Sequence, residues 1–345
     1  MVTEDERYIK RCIDLAQLGL GKVAPNPMVG CVIVKDGSII GEGFHGTYGG
    51  PHAEIEAIKS VANFHDIVGA TVYVSLEPCS HFGKTPPCTV SLIDAKPKRV
   101  VIGSSDTNPS VSGKGIDRLK AEGIEVITGI LESECRDLNK RFFTFHEKKR
   151  PYVILKWAQT NDGYLDKLRE KGEVGSNWIS APETKALVHK WRSEEQSILV
   201  GRNTIINDNP SLTVREYKGE NPIRIVIDSQ LQISSDVNIY SEEAPTIVFN
   251  RLKNELKENI EWVKISETST ANILEELYKR NILSVFVEGG SRTLQYFIID
   301  NVWDEARVIV GDISFGEGIK APVINKVPYD NYKFGSDMIY YYKRK

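Results

Sequence analysis

Residues 71–88 read TVYVSLEPCSHFGKTPPC, and this stretch decides how the first half of the chain folds. Thr71 to Ser75 are mostly β-branched or aromatic residues, which favour a β-strand. A loop rich in proline follows, and a helix is predicted from Pro87 to Ala95. A strand that continues through a loop into a helix is one step of an alternating α/β layer.

The same alternation extends on both sides of this stretch. Towards the N-terminus the predicted elements are a helix over 5–19, strands over 29–35 and 38–43 joined by a turn at Asp36-Gly37, and a helix over 53–61. Towards the middle of the chain they are strands over 99–103 and 125–128 and helices over 115–122 and 131–141. This spacing predicts an α/β layered sheet.

A charged stretch that ends in proline, residues 147–151, is the predicted boundary between two domains, 1–147 and 151–345. A length of 345 residues also favours two domains. Beyond the boundary the alternation restarts, with predicted strands over 152–158, 197–201, 223–228, 246–249 and 284–288 and helices over 182–193, 271–280 and 291–300. Residues 305–310 and 338–342 are predicted to be closing antiparallel strands.

The bulk composition is that of an ordinary soluble protein, with 41% hydrophobic and 26% charged residues and a mean hydropathy of -0.28. A formal net charge of -3 gives no electrostatic reason to expect a nucleic-acid partner. No apolar run approaches the roughly 18 residues that a membrane span needs. A signal peptide begins with a basic stretch that is followed by an apolar one, whereas the first six residues of this chain are acidic. We therefore predict a cytoplasmic protein with no membrane partner.

Five cysteines are an odd number for a protein with no predicted export signal, so disulfides explain them poorly. Cys12, Cys31 and Cys135 stand alone in apolar or helical surroundings, where a cysteine usually acts as a small buried hydrophobic residue. Cys79 and Cys88 differ because they share one loop rich in proline and glycine.

A metal site is predicted where Cys79 and Cys88 meet the phrase Pro51-His52-Ala53-Glu54. One His and two Cys can bind Zn²⁺ and leave the fourth tetrahedral position open for water. Helix starts and strand ends lie at one edge of an α/β sheet, so these three side chains can converge. We predict that His52, Cys79 and Cys88 are the metal ligands. Glu54 is the predicted catalytic residue, which would move protons for the water.

Two other interpretations of these residues remain open. A closed structural zinc site needs a fourth ligand, which His81 or His45 could supply. The alternative is an ordinary core with no metal.

A second candidate site lies at Glu288-Gly289-Gly290-Ser291, which is predicted to be a strand end, a tight turn and a helix start. Backbone N–H groups at a helix start bind phosphate groups, and glycine allows the backbone to come close. Ser291 and Thr293 would add hydroxyl donors. This pattern predicts that the segment holds the pyrophosphate of a cofactor.

The combination of His52-Ala53-Glu54 with Glu77-Pro78-Cys79 resembles the cytidine deaminase superfamily. Eight residues separate Cys79 from Cys88, where the superfamily signature has two. That long loop and the segment 24–30 resemble one branch, the bifunctional deaminase-reductase family of riboflavin biosynthesis. The resemblance covers nearly the whole chain. It implies an N-terminal cytidine-deaminase-like three-layer α/β/α domain and a C-terminal dihydrofolate-reductase-like α/β domain.

The resemblance also implies site residues and cofactors. Zn²⁺ and NADPH would be the cofactors, and a small phosphoribosylated pyrimidine would be the substrate. In the first domain the implied substrate-binding residues are Asn26, His45 and Lys84. In the second domain the implied substrate-binding residues are Lys156, Ser176, Arg192, Leu212, Arg215 and Glu288. The implied NADPH contacts are Ala158, Trp178, Thr204, Asp208, Ser229, Gly290, Ser291, Arg292, Thr293, Leu294, Gln295 and Tyr296.

The implied function is two successive reactions. A hydrolytic deamination would convert 2,5-diamino-6-(5-phosphoribosylamino)pyrimidin-4(3H)-one to the uracil, and NADPH would then reduce the ribosyl chain to ribityl. The family suggests a homo-oligomer, a dimer or tetramer. One rival is a nucleobase or nucleoside deaminase whose second domain has lost its reductase activity. Another is a zinc-stabilised protein that binds or edits nucleic acid, which the acidic composition disfavours. Residues 164–175 are longer and more charged than the resemblance implies.

Overall fold

The computed structural model describes residues 2–80, 86–107, 113–170 and 173–344. Contacts divide the chain into two units, residues 1–149 and residues 150–345. The predicted boundary stretch 147–151 contains this division, although its first two residues form the end of a helix.

The first unit alternates helices and strands. Its helices are α1 (Glu4–Ala16), α2 (Ala53–Ser60), α3 (Cys88–Ala95), α4 (Lys114–Ala121), α5 (Glu132–Leu138) and α6 (Lys140–Lys148). Its strands are β1 (Gly30–Lys35), β2 (Ser38–Phe44), β3 (Thr71–Leu76), β4 (Arg99–Ser104) and β5 (Glu125–Thr128). The predicted hairpin turn is confirmed, with both Asp36 and Gly37 at positive φ between β1 and β2.

The five strands form one sheet in the order β2-β1-β3-β4-β5. Strands β3, β4 and β5 are parallel, and β1 is antiparallel to both of its neighbours. Alternate residues face opposite sides of the sheet. Cys31 and Val72 pack with α2, α3 and α4 on one face, and Val32 and Tyr73 pack with α1 and α5 on the other. The predicted three-layer α/β/α arrangement is therefore confirmed.

The helix predicted over 131–141 is wrong in its extent. Two helices, α5 and α6, replace it, and Asn139 lies between them. The buried Asn139 side chain accepts a hydrogen bond from the Met28 N–H and donates one to the Met28 carbonyl, both 2.8 Å long. These bonds hold the segment before β1 against the break between the helices.

The second unit is built around a larger sheet. Its strands are β6 (Tyr152–Thr160), β7 (Tyr164–Asp166), β8 (Ser197–Gly201), β9 (Ile223–Ile227), β10 (Thr246–Asn250), β11 (Glu255–Lys257), β12 (Ile260–Lys264), β13 (Ser284–Val287), β14 (Glu305–Gly311), β15 (Ile319–Lys320), β16 (Asp330–Phe334) and β17 (Asp337–Lys343). Its helices are α7 (Pro182–Glu194), α8 (Arg202–Asp208), α9 (Thr270–Lys279) and α10 (Ser291–Ile299).

Ten strands pair in the order β11-β12-β10-β9-β8-β13-β6-β14-β17-β16, and β7 pairs with β15 in a separate ribbon. In this order the seven neighbouring strands from β12 through β10, β9, β8, β13 and β6 to β14 are parallel. Antiparallel strands, β11 at one end and β17 with β16 at the other, close the sheet. Strands β7, β11, β12, β15 and β16 and helix α8 are not among the predicted elements. Most of these are short or exposed elements with little apolar periodicity.

Two glycines allow α10 to lie close to the ends of β8 and β13. A Cβ on Gly201 would lie 2.6 Å from Thr293 Oγ1, and a Cβ on Gly289 would lie 2.7 Å from Thr293 Cβ. Both distances are too short for a side chain, so glycine is required at these positions. In the ranges that the structure describes, no helix combines the length and the apolar character that crossing a membrane requires.

Candidate active sites

The three predicted metal ligands meet at one edge of the first sheet. His52 is the N-cap of α2, Cys79 follows β3, and Cys88 is the first residue of α3. His52 Nδ1 lies 3.2 Å from Cys88 Sγ and 3.5 Å from Cys79 Sγ. One ligand atom from each residue lies within 4.8 Å of the other two, a separation that one metal ion can bridge.

The charges of this group also suit a zinc ion. The Cys88 N–H donates a hydrogen bond to Cys79 Sγ at 3.3 Å. The nearby Cys88 side chain, more than any other neighbour, lowers the pKa of Cys79 to about 4. The same contact with the Cys79 thiolate raises the pKa of Cys88. Two cysteine sulfurs and an imidazole therefore lie within reach of one point, and a bound Zn²⁺ would hold both sulfurs as thiolates.

Glu54 lies within the first turn of α2, two residues after His52. Its side chain is 3% exposed, and burial raises the pKa of the carboxyl to about 6. The repulsion of the Cys79 thiolate raises this pKa further, and the charge of the nearby His52 lowers it. A buried carboxyl with a pKa near neutrality is suited to accepting and returning a proton.

His45 is not available as a fourth metal ligand. Its Nδ1–H donates to the Pro51 carbonyl at 2.8 Å, because a carbonyl can only accept. Its Nε2 therefore accepts from Asn26 Nδ2 at 3.1 Å. The His45 ring lies edge-on to the His52 ring, with centroids 5.4 Å apart, and burial lowers its pKa. Asn26 and His45 thus come together beside the ligands, and their role in substrate binding stays a prediction.

The other two residues that were predicted near this site, His81 and Lys84, lie outside the described residues. Their predicted roles stay predictions.

A prediction for the metal follows from the three-ligand geometry. We expect Cys88→Ala to lose most of its bound zinc, because a His and one Cys alone bind the ion weakly. Cys135→Ala is the matched control, since Cys135 is a buried free thiol away from the group. Metal content per chain after dialysis, measured by mass spectrometry of the acidified protein, checks this. Equal zinc in the two variants would contradict the ligand assignment.

In the second unit a buried ion cluster joins β6, α7 and the end of β13. Glu288 accepts from Arg192 Nε at 2.8 Å and from Arg192 Nη2 at 2.9 Å, and it lies 3.5 Å from Lys156 Nζ. Burial alone would raise the pKa of Glu288, but the two cations lower it to about 2. Burial lowers the pKa of Lys156, and Glu288 opposes that shift. The cluster holds a charged ammonium group that has become a better proton donor.

The segment 212–215 is held against α7 by two hydrogen bonds. Arg192 Nη1 donates to the Thr213 carbonyl at 3.3 Å, and the Arg215 N–H donates to His189 Nδ1 at 2.9 Å. Leu212 begins the segment at φ 54, a left-handed conformation that costs a non-glycine residue energy. This fixed backbone brings the predicted residues Leu212 and Arg215 beside Arg192.

The start of α10 carries most of the predicted cofactor residues. Thr204 Oγ1 accepts a bond of 3.1 Å from the Gly290 N–H, so this amide is already used. Ser291 Oγ donates to the Lys320 carbonyl at 2.9 Å. The next backbone N–H groups have no carbonyl partner within a helix. They could therefore bind a pyrophosphate group, and the glycine contacts described above keep this helix start close to β8 and β13.

The other predicted cofactor residues differ in their surroundings. Leu294 is 0% exposed and packs in the main core, so only its backbone could contact a cofactor. Arg292 Nε donates to Tyr296 OH at 2.9 Å. Asp208 pairs with Arg169 at 2.7 Å, and Ser229 Oγ lies 2.8 Å from Thr268 Oγ1. Ala158 and Gln295 are partly buried, on β6 and α10 respectively.

Trp178 and Ser176 are the exposed members of the predicted set in one stretch of chain. Trp178 is 62% exposed, with Lys185 Nζ 3.8 Å from its ring centroid, and Ser176 is exposed nearby in the chain. Among the residues that the structure describes, neither these two nor Ser229 has a hydrogen bond to another predicted site residue.

Sequence reasoning missed His189, Thr213 and Arg169. His189 precedes Arg192 by three residues, so the two share one face of α7. That spacing was the only signal, and it is weak without knowledge of the segment that packs on the face.

Each half of the chain matches a known protein family. Residues 2–104 match the cytidine and deoxycytidylate deaminase zinc-binding region, and residues 151–334 match the RibD C-terminal domain. The chain is 40% identical to riboflavin biosynthesis protein RibD of Aquifex aeolicus, over 99% of this chain and 98% of that protein. It is 39% identical to RibD of Escherichia coli, over 83% and 82%.

The chain belongs to the RibD family.

Solved structures are also similar to this chain. A diaminohydroxyphosphoribosylaminopyrimidine deaminase / 5-amino-6-(5-phosphoribosylamino)uracil reductase from Thermotoga maritima is 40% identical, with a TM-score of 0.89 over 99% of this chain and 98% of that chain. RibD of Acinetobacter baumannii is 32% identical, with a TM-score of 0.87 over 99% of both chains.

Family membership confirms several predictions. The chain is a bifunctional enzyme of riboflavin biosynthesis with a deaminase and a reductase. Its first unit has a cytidine-deaminase-like fold with a zinc-binding site, and its second has a dihydrofolate-reductase-like fold and uses NADPH. Its substrate is a small pyrimidine.

Proposed function

We propose that the first unit deaminates 2,5-diamino-6-(5-phosphoribosylamino)pyrimidin-4(3H)-one and that the second unit reduces the ribosyl chain of the product. The product of the second step would be 5-amino-6-(5-phosphoribitylamino)uracil. The observation that carries this proposal is the convergence of His52, Cys79 and Cys88 beside the buried Glu54. The name of the Thermotoga maritima relative, which gives both activities, supports the pairing of the two reactions.

In the deamination, the oxygen of water bonds to C2 of the pyrimidine and the amino group leaves as ammonia. His52, Cys79 and Cys88 would hold the zinc ion, which when bound lowers the pKa of water and so supplies a nucleophile at neutral pH. Glu54 would accept the proton of the attacking water and return it to the departing amino group. Asn26 and His45 would orient the ring, since their mutual hydrogen bond fixes both side chains.

In the reduction, a hydride adds to C1 of the ring-opened ribose, and the atom that was doubly bonded to C1 takes a proton. NADPH supplies the hydride when bound. Lys156 would donate the proton, because its ammonium group is buried and its pKa is lowered by burial. Glu288 would keep Lys156 in place through their contact at 3.5 Å. The helix start at Ser291 would receive the cofactor pyrophosphate.

Anion binding in the second unit would depend on Arg215. It lies on the fixed segment 212–215 and is exposed, so its guanidinium can form two parallel hydrogen bonds to a phosphate group. Ser176, Leu212 and Arg192 would complete the walls around the sugar phosphate.

Two separate assays test the proposal. Ammonia release from the diaminopyrimidine reports the first reaction, and NADPH oxidation with the ribosylaminouracil phosphate reports the second. We expect both activities from one zinc-loaded preparation. Ammonia release without NADPH oxidation would instead favour a deaminase whose second unit is inactive, and the absence of both would reject the proposal.

We also propose a cytoplasmic homo-oligomer, a dimer or tetramer, that needs no nucleic acid. The free thiols of Cys79 and Cys88 suit a reducing compartment, and the net charge of -3 suits a small-molecule enzyme. Light scattering after size-exclusion chromatography, with and without nuclease treatment, measures the assembly. A monomer would contradict the proposed homo-oligomer.

A further inference from the structure

His189 has a fixed orientation in the second unit. It lies on α7, three residues before Arg192, and is 7% exposed. Its Nδ1 accepts the Arg215 N–H at 2.9 Å. A ring nitrogen that accepts carries no proton, so in the neutral ring the proton is on Nε2. Within the part of the chain that the structure describes, Nε2 has no hydrogen-bond partner.

The guanidinium groups of the two nearby arginines, Arg192 and Arg215, differ in how many of their nitrogens already have a hydrogen-bond partner. All three guanidinium nitrogens of Arg192 already have partners, two on Glu288 and one on the Thr213 carbonyl. The guanidinium of Arg215 makes one long bond, 3.4 Å to Thr213 Oγ1. An anion beside this segment would therefore find Arg215 available, and the Nε2–H of His189 would be a second donor without a partner among the described residues.

Two arginines and two glutamates surround His189. Arg192 on α7 and Arg215 on the 212–215 segment face it, together with Glu216, which follows that segment, and Glu288 at the end of β13. Burial and the two arginines lower the pKa of His189 to about 4, and the two carboxylates oppose this shift. The ring is therefore neutral at pH 7, with Nδ1 accepting and Nε2–H donating.

We propose that His189 is a phosphate-recognition residue of the reductase, whose Nε2–H donates to the 5-phosphate of the substrate while Nδ1 holds the backbone of Arg215. This inference rests on the proposed function, which supplies the phosphorylated substrate. His189 would then make the reductase selective for the phosphorylated sugar over its dephosphorylated form. The hydride step would not depend on it, since Lys156 rather than His189 would supply the proton.

Two variants separate the two ring nitrogens. His189→Asn keeps an acceptor near the position of Nδ1 and removes the donor at Nε2, whereas His189→Gln keeps a donor near Nε2. NADPH oxidation is measured with the ribosylaminouracil phosphate and with its dephosphorylated form. We expect His189→Asn to raise KM for the phosphorylated substrate by about 10-fold or more, because a charge-assisted hydrogen bond is lost. The kcat, the KM for the dephosphorylated substrate and the Kd of NADPH should stay unchanged.

The controls address folding and general structural effects. His189→Gln should recover most of the selectivity, and His65→Asn, an exposed residue of the first unit, should behave as wild type. Turnover of the dephosphorylated substrate and the Kd of NADPH report whether the second unit has folded, and ammonia release reports the first unit. An equal loss with both substrates in His189→Asn would show a structural role only, and an unchanged KM would remove any role. Either result overturns the inference.

A binding measurement distinguishes failure of this inference from failure of the proposed function. Isothermal titration calorimetry with ribose 5-phosphate and with ribose needs no turnover. Suppose the wild-type enzyme fails to oxidise NADPH but binds ribose 5-phosphate, and His189→Asn binds it about 10-fold more weakly. The proposed function then fails while the inference stands. Absence of ribose 5-phosphate binding by the wild type, or equal binding by both proteins, overturns the inference.

Discussion

Glu54→Gln is expected to lower ammonia release from the diaminopyrimidine by about 10²- to 10⁴-fold, the range that general acid–base catalysis contributes. The amide has the same shape as the carboxyl, so it preserves packing at a site where the side chain is 3% exposed. It can neither accept a proton from water nor return one to the departing amino group. NADPH oxidation with the deaminated substrate should stay at the wild-type rate.

The control for this variant lies on the same helix. Glu56→Gln changes a carboxylate that pairs with Lys59 at 3.2 Å outside the ligand group, and it should keep its full ammonia release. Zinc content should be unchanged in both variants, because neither residue is among the three ligands. Glu54→Gln with near wild-type ammonia release would remove Glu54 from the mechanism.

Lys156→Met is expected to lower the kcat of NADPH oxidation by about 10²- to 10³-fold, as expected for the loss of a preorganised donor at a developing charge. Methionine has a similar length and is apolar, so it fits the buried position. Glu288 keeps both bonds to Arg192 in this variant, at 2.8 and 2.9 Å. Removing Glu288 instead would leave two buried cations unpaired, at a cost of about 3–5 kcal/mol in folding free energy.

Steady-state kinetics with saturating NADPH measure this effect. Lys190→Met is the matched control, because Lys190 lies on the exposed side of α7 and only approaches Glu194, at 3.9 Å. Ammonia release should be normal in both variants. A kcat within about twofold of wild type for Lys156→Met would show that another group delivers the proton.

The zinc site could be predicted from sequence because each ligand lies at the end of an element whose type was clear. His52 begins α2, Cys88 begins α3, and Cys79 follows β3, so the order of the elements alone brings them to one sheet edge. The distances confirm that the three residues meet. The sequence could not exclude His45 as a fourth ligand, since its bonds to Asn26 and the Pro51 carbonyl depend on tertiary contacts.

The second site was less accessible to sequence reasoning. His189 acts on Arg215, which is 26 residues away in sequence. The contact depends on the left-handed turn at Leu212, and a leucine gives no sign of such a turn. Arg192 was expected to bind the substrate. Its paired bonds to Glu288 could not be foreseen, because α7 and β13 are far apart in the chain.

The fold itself followed from periodicity where strands are buried, as in β3, β4 and β13. Exposed edge strands such as β16 lack that signal, since pairing with a neighbouring strand rather than burial stabilises them. The break at Asn139 was missed for a similar reason, because its partner, Met28, is 111 residues away.

The central claim is that one chain performs both reactions on one substrate, and mass spectrometry of a single incubation tests it most directly. The zinc-loaded wild-type protein is mixed with the diaminopyrimidine phosphate, first without NADPH and then with it. We expect the first product to have one NH replaced by O and the second to gain two hydrogen atoms. The label from NADPH deuterated at its transferable position should appear on C1 of the sugar. An unchanged substrate in the first incubation, or a deaminated product that never gains hydrogen in the second, would contradict the account.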